Sequence, residues 1–190
     1  MALSKIDPVT SIDLDDKEYF QVELTSLQGG LVDASTNTVD FGGSGTVKYD
    51  TKSNFDSAND AYLLDSSDGV YLVSFSVAIR SDTISTEDII EAIASVFVAT
   101  DGSTYTAING GGARMIDGGN DLVGSFMIGG SFIYKSTTAT TKLQVRGYAN
   151  TATGTGNPYK FNHDTSNMVN ATLSDFEPSR CTYLSVVRIA

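Results

Sequence analysis

Apolar and polar residues alternate along much of this chain, most clearly over 69–80. There Tyr71, Val73, Phe75, Val77 and Ile79 are apolar, and the positions between them soften to Ser74, Ser76 and Arg80. A repeat of two marks a strand with one face in a core. β-Branched and aromatic residues fill the stretch, and Asp68-Gly69 opens it with a turn. A strand this long needs neighbours along its edges and over its apolar face.

The rest of the chain supplies them. Tyr19 to Leu27 is predicted as the first strand, with Phe20, Val22 and Leu24 on one side and Gln21, Glu23 and Thr25 on the other. Residues 31–46 read as a weak strand and a Gly-rich loop, followed by short pieces at 47–50, 54–56 and 61–64. Over 83–100 two patterns compete. Ser85 or Thr86 before Glu87-Asp88 looks like a helix start, with Ile89, Ile90, Ile93, Ala94 and Phe97 as a helical stripe. Residues 95–100 are β-rich and run into the turn signal Asp101-Gly102. The expected outcome is a polar loop or helical turn near 84–90, then a strand over 91–100. Tyr105 to Ile108 forms the returning edge, and 109–121 a glycine-rich loop. Leu122 to Tyr134 is a further long strand, with Phe126, Ile128, Phe132 and Tyr134 on one face and Ser125 and Ser131 on the other. Gly124, Gly129 and Gly130 leave room there for a bulge or a close neighbour. From Lys142 to Ala149, Leu143, Val145 and Gly147 alternate with Lys142, Gln144 and Arg146.

Two segments break the pattern. Residues 150–180 form a long Thr/Asn/Gly-rich loop, of a length often tied to function, within which 168–173 could pair. The stretch from Cys181 to Ile189 is apolar on both faces: Cys181, Tyr183, Val187 and Ile189 on one, Leu184 and Val186 on the other. A strand covered on both faces suggests a second chain packed against the sandwich. Residues 1–17 read as an arm. Pro8 and Asp13, Asp15 and Asp16 discourage regular structure, while Leu3, Ile6, Val9, Ile12 and Leu14 are spaced to dock on the fold or on a partner.

Composition agrees with an all-β sandwich or barrel in one domain of 190 residues: 41% hydrophobic, 18 glycines and only 3 prolines. The net charge of −11 with no basic run argues against nucleic acid and against an anionic membrane surface. No stretch reaches the ~20 apolar residues of a membrane helix. The single cysteine, Cys181, cannot form an internal disulfide. Residues 1–10 carry no apolar core of signal-peptide length, so synthesis in a cytoplasm without an export signal is expected, and the sequon at 170–172 reads as polar loop.

Candidate chemistry is sparse. A Ser-His-Asp triad would have to use His163, which sits beside Asp164 in a Thr/Asn-rich loop with no strained nucleophile turn. One His and one Cys cannot build a zinc site in one chain. Asp117 and Asp121 suit calcium or, more simply, Asp-Gly turns. The GGSG at 42–45 lacks the Lys-Ser/Thr of a phosphate loop. No catalytic residue, metal or cofactor is expected. Tyr105, Tyr159 and Phe161 lie in or beside polar loops, where they would contact sugar rings at a receptor-binding tip or anchor the loops.

From residue 47 onward the order of motifs resembles the C1q/TNF-like jelly roll. TVKYDTKSNFDSANDAYLLDSSDGVYLVSFSV matches that family's short strand, Tyr-Asp, Phe-Asp loop and Asp-Gly-Val-Tyr before the long strand. VFVATDGSTYTA resembles its hairpin, GSFIYKSTTATTKLQVRGYA its next strand pair, and SRCTYLSVVRIA its terminal strand. Ser66-Ser67 stands where the family usually has a proline. The resemblance implies an antiparallel jelly-roll sandwich over 18–190, preceded by the arm at 1–17. It also implies a homotrimer with the terminal strand near the threefold axis, its interface drawn from Tyr183, Leu184, Val186, Val187 and Ile189. The opening MALSKID resembles the start of some bacteriophage virion proteins. Together these imply a non-enzymatic virion protein, a trimeric knob that decorates or stabilises a capsid or ends a fibre, attached to other virion proteins by its arm. The alternative is a recognition module that binds a host-surface glycan or receptor through loops 101–121 and 150–180.

Overall fold

Strand β6 (Val70–Ser81) runs through the centre of the first sheet. Tyr71, Val73, Phe75, Val77 and Ile79 all point into the core, none more than 1% exposed. The computed structural model describes residues 18–81, 89–116, 125–151, 159–162 and 181–190. The predicted arm, His163, Asp117, Asp121, the possible pairing at 168–173 and the sequon lie outside them.

One edge of β6 carries β9 (Ser125–Lys135) in unbroken antiparallel register, from Val70↔Lys135 to Arg80↔Ser125. The other edge carries two short strands end to end. β12 (Tyr183–Arg188) lies beside Tyr71–Ser76, and β11 (Tyr159–Phe161) beside Ile79–Ser81. Next come β1 (Tyr19–Leu24), paired with β12, and β3 (Gly45–Asp50), paired with β1. Asn162 and Thr182, both fully buried, close the joint between β11 and β12. The Thr182 hydroxyl accepts from the Ala78 N–H at 3.0 Å, and the Asn162 N–H donates to the Ala78 carbonyl at 2.8 Å. The Asn162 amide also donates to the carbonyls of Leu24 and Ser26, both at 3.2 Å. The long strand therefore keeps its backbone satisfied where its neighbours end.

The second sheet is built on β10 (Lys142–Thr151). β7 (Ile89–Ala99) lies along one edge, with β5 (Ala61–Leu63) and β2 (Ser35–Thr38) in tandem on the other. β4 (Phe55–Asp56) extends the sheet beyond β5, and β8 (Thr106–Ile116) beyond β7. One helical turn, α1 (Phe41–Ser44), leads into β3, and Asp40 caps it by accepting from the Gly43 N–H at 2.6 Å. Between the sheets Phe20 stacks on Tyr62 with ring centroids 4.1 Å apart. Burying each large apolar side chain in that core contributes roughly 1.5–3 kcal/mol.

The architecture is the expected all-β antiparallel jelly-roll sandwich, with several local departures. Residues 109–116 are strand, not loop. The register jumps from Phe97↔Ala107 to Ser95↔Gly112, and the run Asn109-Gly110-Gly111 takes up the extra length as a bulge. The segment 150–180 contains β11, whose Tyr159 and Phe161 are core residues. GGSG is a helical turn entering a strand, not an open loop. The first strand ends at Leu24, and the chain then returns to bridge at Gln28↔Phe161. Ile89 and Ile90 already belong to β7, so no helix continues through them.

Candidate functional site

The outward face of the first sheet gathers exposed and half-buried apolar side chains into one row. Tyr19 faces Val187, Val187 faces Leu72, and Leu72 faces Ile133, each as a direct cross-strand pair. Directly opposed side chains on one face touch, so the row runs unbroken over β1, β12, β6 and β9, roughly 14 Å at the usual strand spacing. Leu72 is 40% exposed and Ile133 67%. Tyr49 of β3 extends the row, its ring centroid 5.2 Å from that of Tyr19. The bulge between Gln21 and Val22 skips Lys48, whose ammonium then meets the Glu23 carboxylate at 3.5 Å. Farther along β9, Met127 is also well exposed.

The rows beside it are polar, and their hydrogen bonds are made within the chain. Ser74 and Ser131 face each other with hydroxyls 2.8 Å apart. The Tyr19 hydroxyl donates to Gln21 at 2.8 Å, and the Gln21 amide donates to Glu23 at 2.9 Å. Polar groups satisfied in this way cost less to bury against another surface. Ser76 and Gly129, paired across β6 and β9, leave the middle of the sheet low. Small residues between apolar ones allow a second backbone to come close. Large exposed apolar patches with polar rims are the usual sign of a protein interface.

The terminal strand divides its two apolar faces. Leu184 and Val186 sit opposite Phe75 and Val73 and point into the chain's own core, at most 1% exposed, so neither has surface to offer a partner. Tyr183 and Val187 lie on the outward face, half-buried, and Ile189 beyond them is exposed. Leu72, Ile133, Met127 and Tyr49 are the contributors to this face that reading the last strand alone does not find. Cys181, just before β12, is half-buried and unbridged, and burial pushes its thiol up.

Two of the three aromatic residues expected at a receptor-binding tip are not at the surface. Tyr159 and Phe161 are fully buried. The Tyr159 hydroxyl donates to the Val32 carbonyl at 3.1 Å, and burial pushes its pKa up to about 12. A spacing of two put these rings on one strand face, and the core took both. Tyr105 is half-buried just before β8, its ring beside the Arg146 guanidinium. Among the described residues no group of three or more His, Cys, Asp or Glu side chains could hold a metal ion. No helix of the described residues is long and apolar enough to cross a membrane.

No protein-family model matches the chain, and no curated protein matches it. Solved structures do. Eiger TNF from S. frugiperda is similar at a TM-score of 0.58 and 10% identity, over 92% of this chain and 93% of that one. Murine APRIL is similar at 0.55 and 9% identity, over 91% and 99%. The globular domain of the zebrafish complement 1qA protein is similar at 0.53 and 10% identity, over 92% and 98%. The fold is thus the TNF/C1q-like jelly roll, and at such identities the likeness is one of fold.

Proposed function

We propose that this chain is a non-enzymatic structural protein of a bacteriophage virion, a homotrimeric jelly-roll knob that decorates or stabilises a capsid or ends a fibre. The observation that carries the assembly is the outward row Tyr19, Val187, Leu72 and Ile133, presented by a single chain with its polar neighbours already hydrogen-bonded. A threefold arrangement would cover that row, and Tyr183, Val187 and Ile189 are the residues of the terminal strand that take part. The opening MALSKID and the acidic charge of −11 support a place on a particle exterior, with 1–17 as the arm to other virion proteins.

Light scattering on the protein in solution tests the assembly. A trimer gives a mass of about 60 kDa, three times the chain's 20.1 kDa. A stable monomer at micromolar concentration ends the knob reading and leaves the row unexplained. Incubation with particles lacking the protein tests the virion role, and saturable decoration is the expected result.

A further inference from the structure

The outward face of the second sheet holds an arginine prepared for a ligand that none of the described residues supplies. Arg146 is half-buried on β10. Its guanidinium lies over the Phe97 ring, 4.6 Å from the centroid, and 5.2 Å from the centroid of Tyr105. Its Nε donates to Oε1 of Gln144 at 2.6 Å. Gln144 is 5% exposed, and its amide donates in turn to the Asn59 carbonyl at 2.7 Å. Two aromatic rings and this relay set the plane of the guanidinium, and no hydrogen bond from the described residues occupies its two terminal nitrogens. No carboxylate of the described residues pairs with it, although the chain has 23 acidic residues against 12 basic ones. Burial accordingly disfavours its charge. The Tyr105 hydroxyl beside it is buried and has no hydrogen-bond partner among the described residues. Lys142, on the same face of β10, is already neutralised by Asp56 at 2.9 Å.

We propose that Arg146, with Tyr105 and Phe97, is a docking site for a carboxylate. The free edge of the guanidinium offers two parallel N–H groups, which match the two oxygens of a planar carboxylate. With Nε held by Gln144, little side-chain freedom remains to be lost on binding. A single cation that no described carboxylate pairs, in a strongly acidic chain, suits a monoanion better than a dianion such as phosphate. The buried Tyr105 hydroxyl, unpartnered among the described residues, suits a ligand that carries hydroxyl groups beside its carboxylate, so the occupant is an acidic sugar, and a protein Glu side chain is the other outcome of the test. The site faces away from the sheet proposed for assembly and does not depend on it.

The test is NMR titration of the full-length protein with glucuronate, N-acetylglutamate α-amide, glucose and inorganic phosphate, read at the backbone amides of Phe97, Tyr105 and Gln144. We expect saturable shifts with a dissociation constant on the order of millimolar for at least one carboxylate, and none with glucose. Response to glucuronate alone assigns an acidic sugar, and to the glutamate probe alone a protein side chain. Arg146→Gln abolishes the shifts, and Arg146→Lys, which keeps the charge and loses the fork, weakens binding at least tenfold. Unchanged spectra elsewhere in both variants verify the fold. The assignment falls if neither carboxylate saturates, if phosphate binds more tightly than both, or if Arg146→Gln responds like the parent chain.

Discussion

At Gly147 the two sheets come so close that a Cβ would lie 2.5 Å from the ring of Phe161. Both residues are buried, so the ring must shift within a packed core to admit a methyl group. Gly147→Ala is expected to destabilise the fold by about 1–3 kcal/mol, seen as a lower urea midpoint with an unchanged slope. Glu18 shows a second single-residue effect. Its side chain is 1% exposed, and Oε1 accepts from the Asp65 N–H at 3.0 Å. Oε2 and the Tyr62 hydroxyl are both buried without a full hydrogen bond among the described residues, and Glu18 and Tyr62 shift each other's titration. Desolvation dominates and raises the Glu18 pKa above the ordinary 4.5, with the Asp65 charge adding to it, while the nearby Tyr71 hydroxyl, the Asp65 N–H and the Tyr62 hydroxyl work the other way. A raised folded pKa means that the native state holds the proton more tightly than the unfolded one. The resulting stability is complete below the unfolded pKa and is lost as pH rises through the folded one. Glu18→Gln should therefore gain on the parent chain between pH 4 and pH 8, measured as the difference in urea midpoints. A constant difference across that range would mean that Glu18 stays ionised in the fold.

Strand β12 separates folding from assembly within six residues. Val186 faces the core and Val187 the outside. Val186→Asp puts an unpaired charge in the interior, a cost of several kcal/mol, and should prevent folding, with loss of the β-sheet circular dichroism signal. Val187→Asp should keep that signal and lose the trimer mass. If Val187→Asp still assembles, the outward face of β12 is not in the interface. The same pleat makes a one-residue slip of this strand intolerable, because it would exchange Leu184 and Val186 for Tyr183 and Ser185 in the core.

At the scale of the whole molecule, the proposed arm at 1–17 precedes the first strand, which starts at Tyr19. Deleting 1–17 is expected to leave a folded trimer that no longer decorates its particle, measured by sedimentation with particles lacking the protein. Full occupancy by the truncated chain would remove the attachment role from Leu3, Ile6, Val9, Ile12 and Leu14. The architecture itself was largely legible. β6, the β7 hairpin, β9 and β10 all carry a period of two or a turn signal, and Phe20, Val22, Leu24, Leu143 and Val145 are core as that period requires. The site was legible only in part. A strand with two apolar faces flagged β12, but the exposed Leu72 and Ile133 each look like one more strand hydrophobe until the register sets them side by side.

The alternation of side chains by itself determined which segments are strands and which residues line a face, because a pleat places neighbours on opposite sides whatever the strand is paired with. The motif order determined the kind of jelly roll. Only the tertiary structure decided what covers each face. It sent Tyr159 and Phe161 inward, buried Ser76, Ala78 and Arg80 on the side of β6 that alternation reads as outward, and joined Tyr19, Val187, Leu72 and Ile133 into one surface. It also set Arg146 over Phe97 and beside Tyr105. These pairings join residues tens of positions apart, and local pattern carries no record of which strand lies next to which.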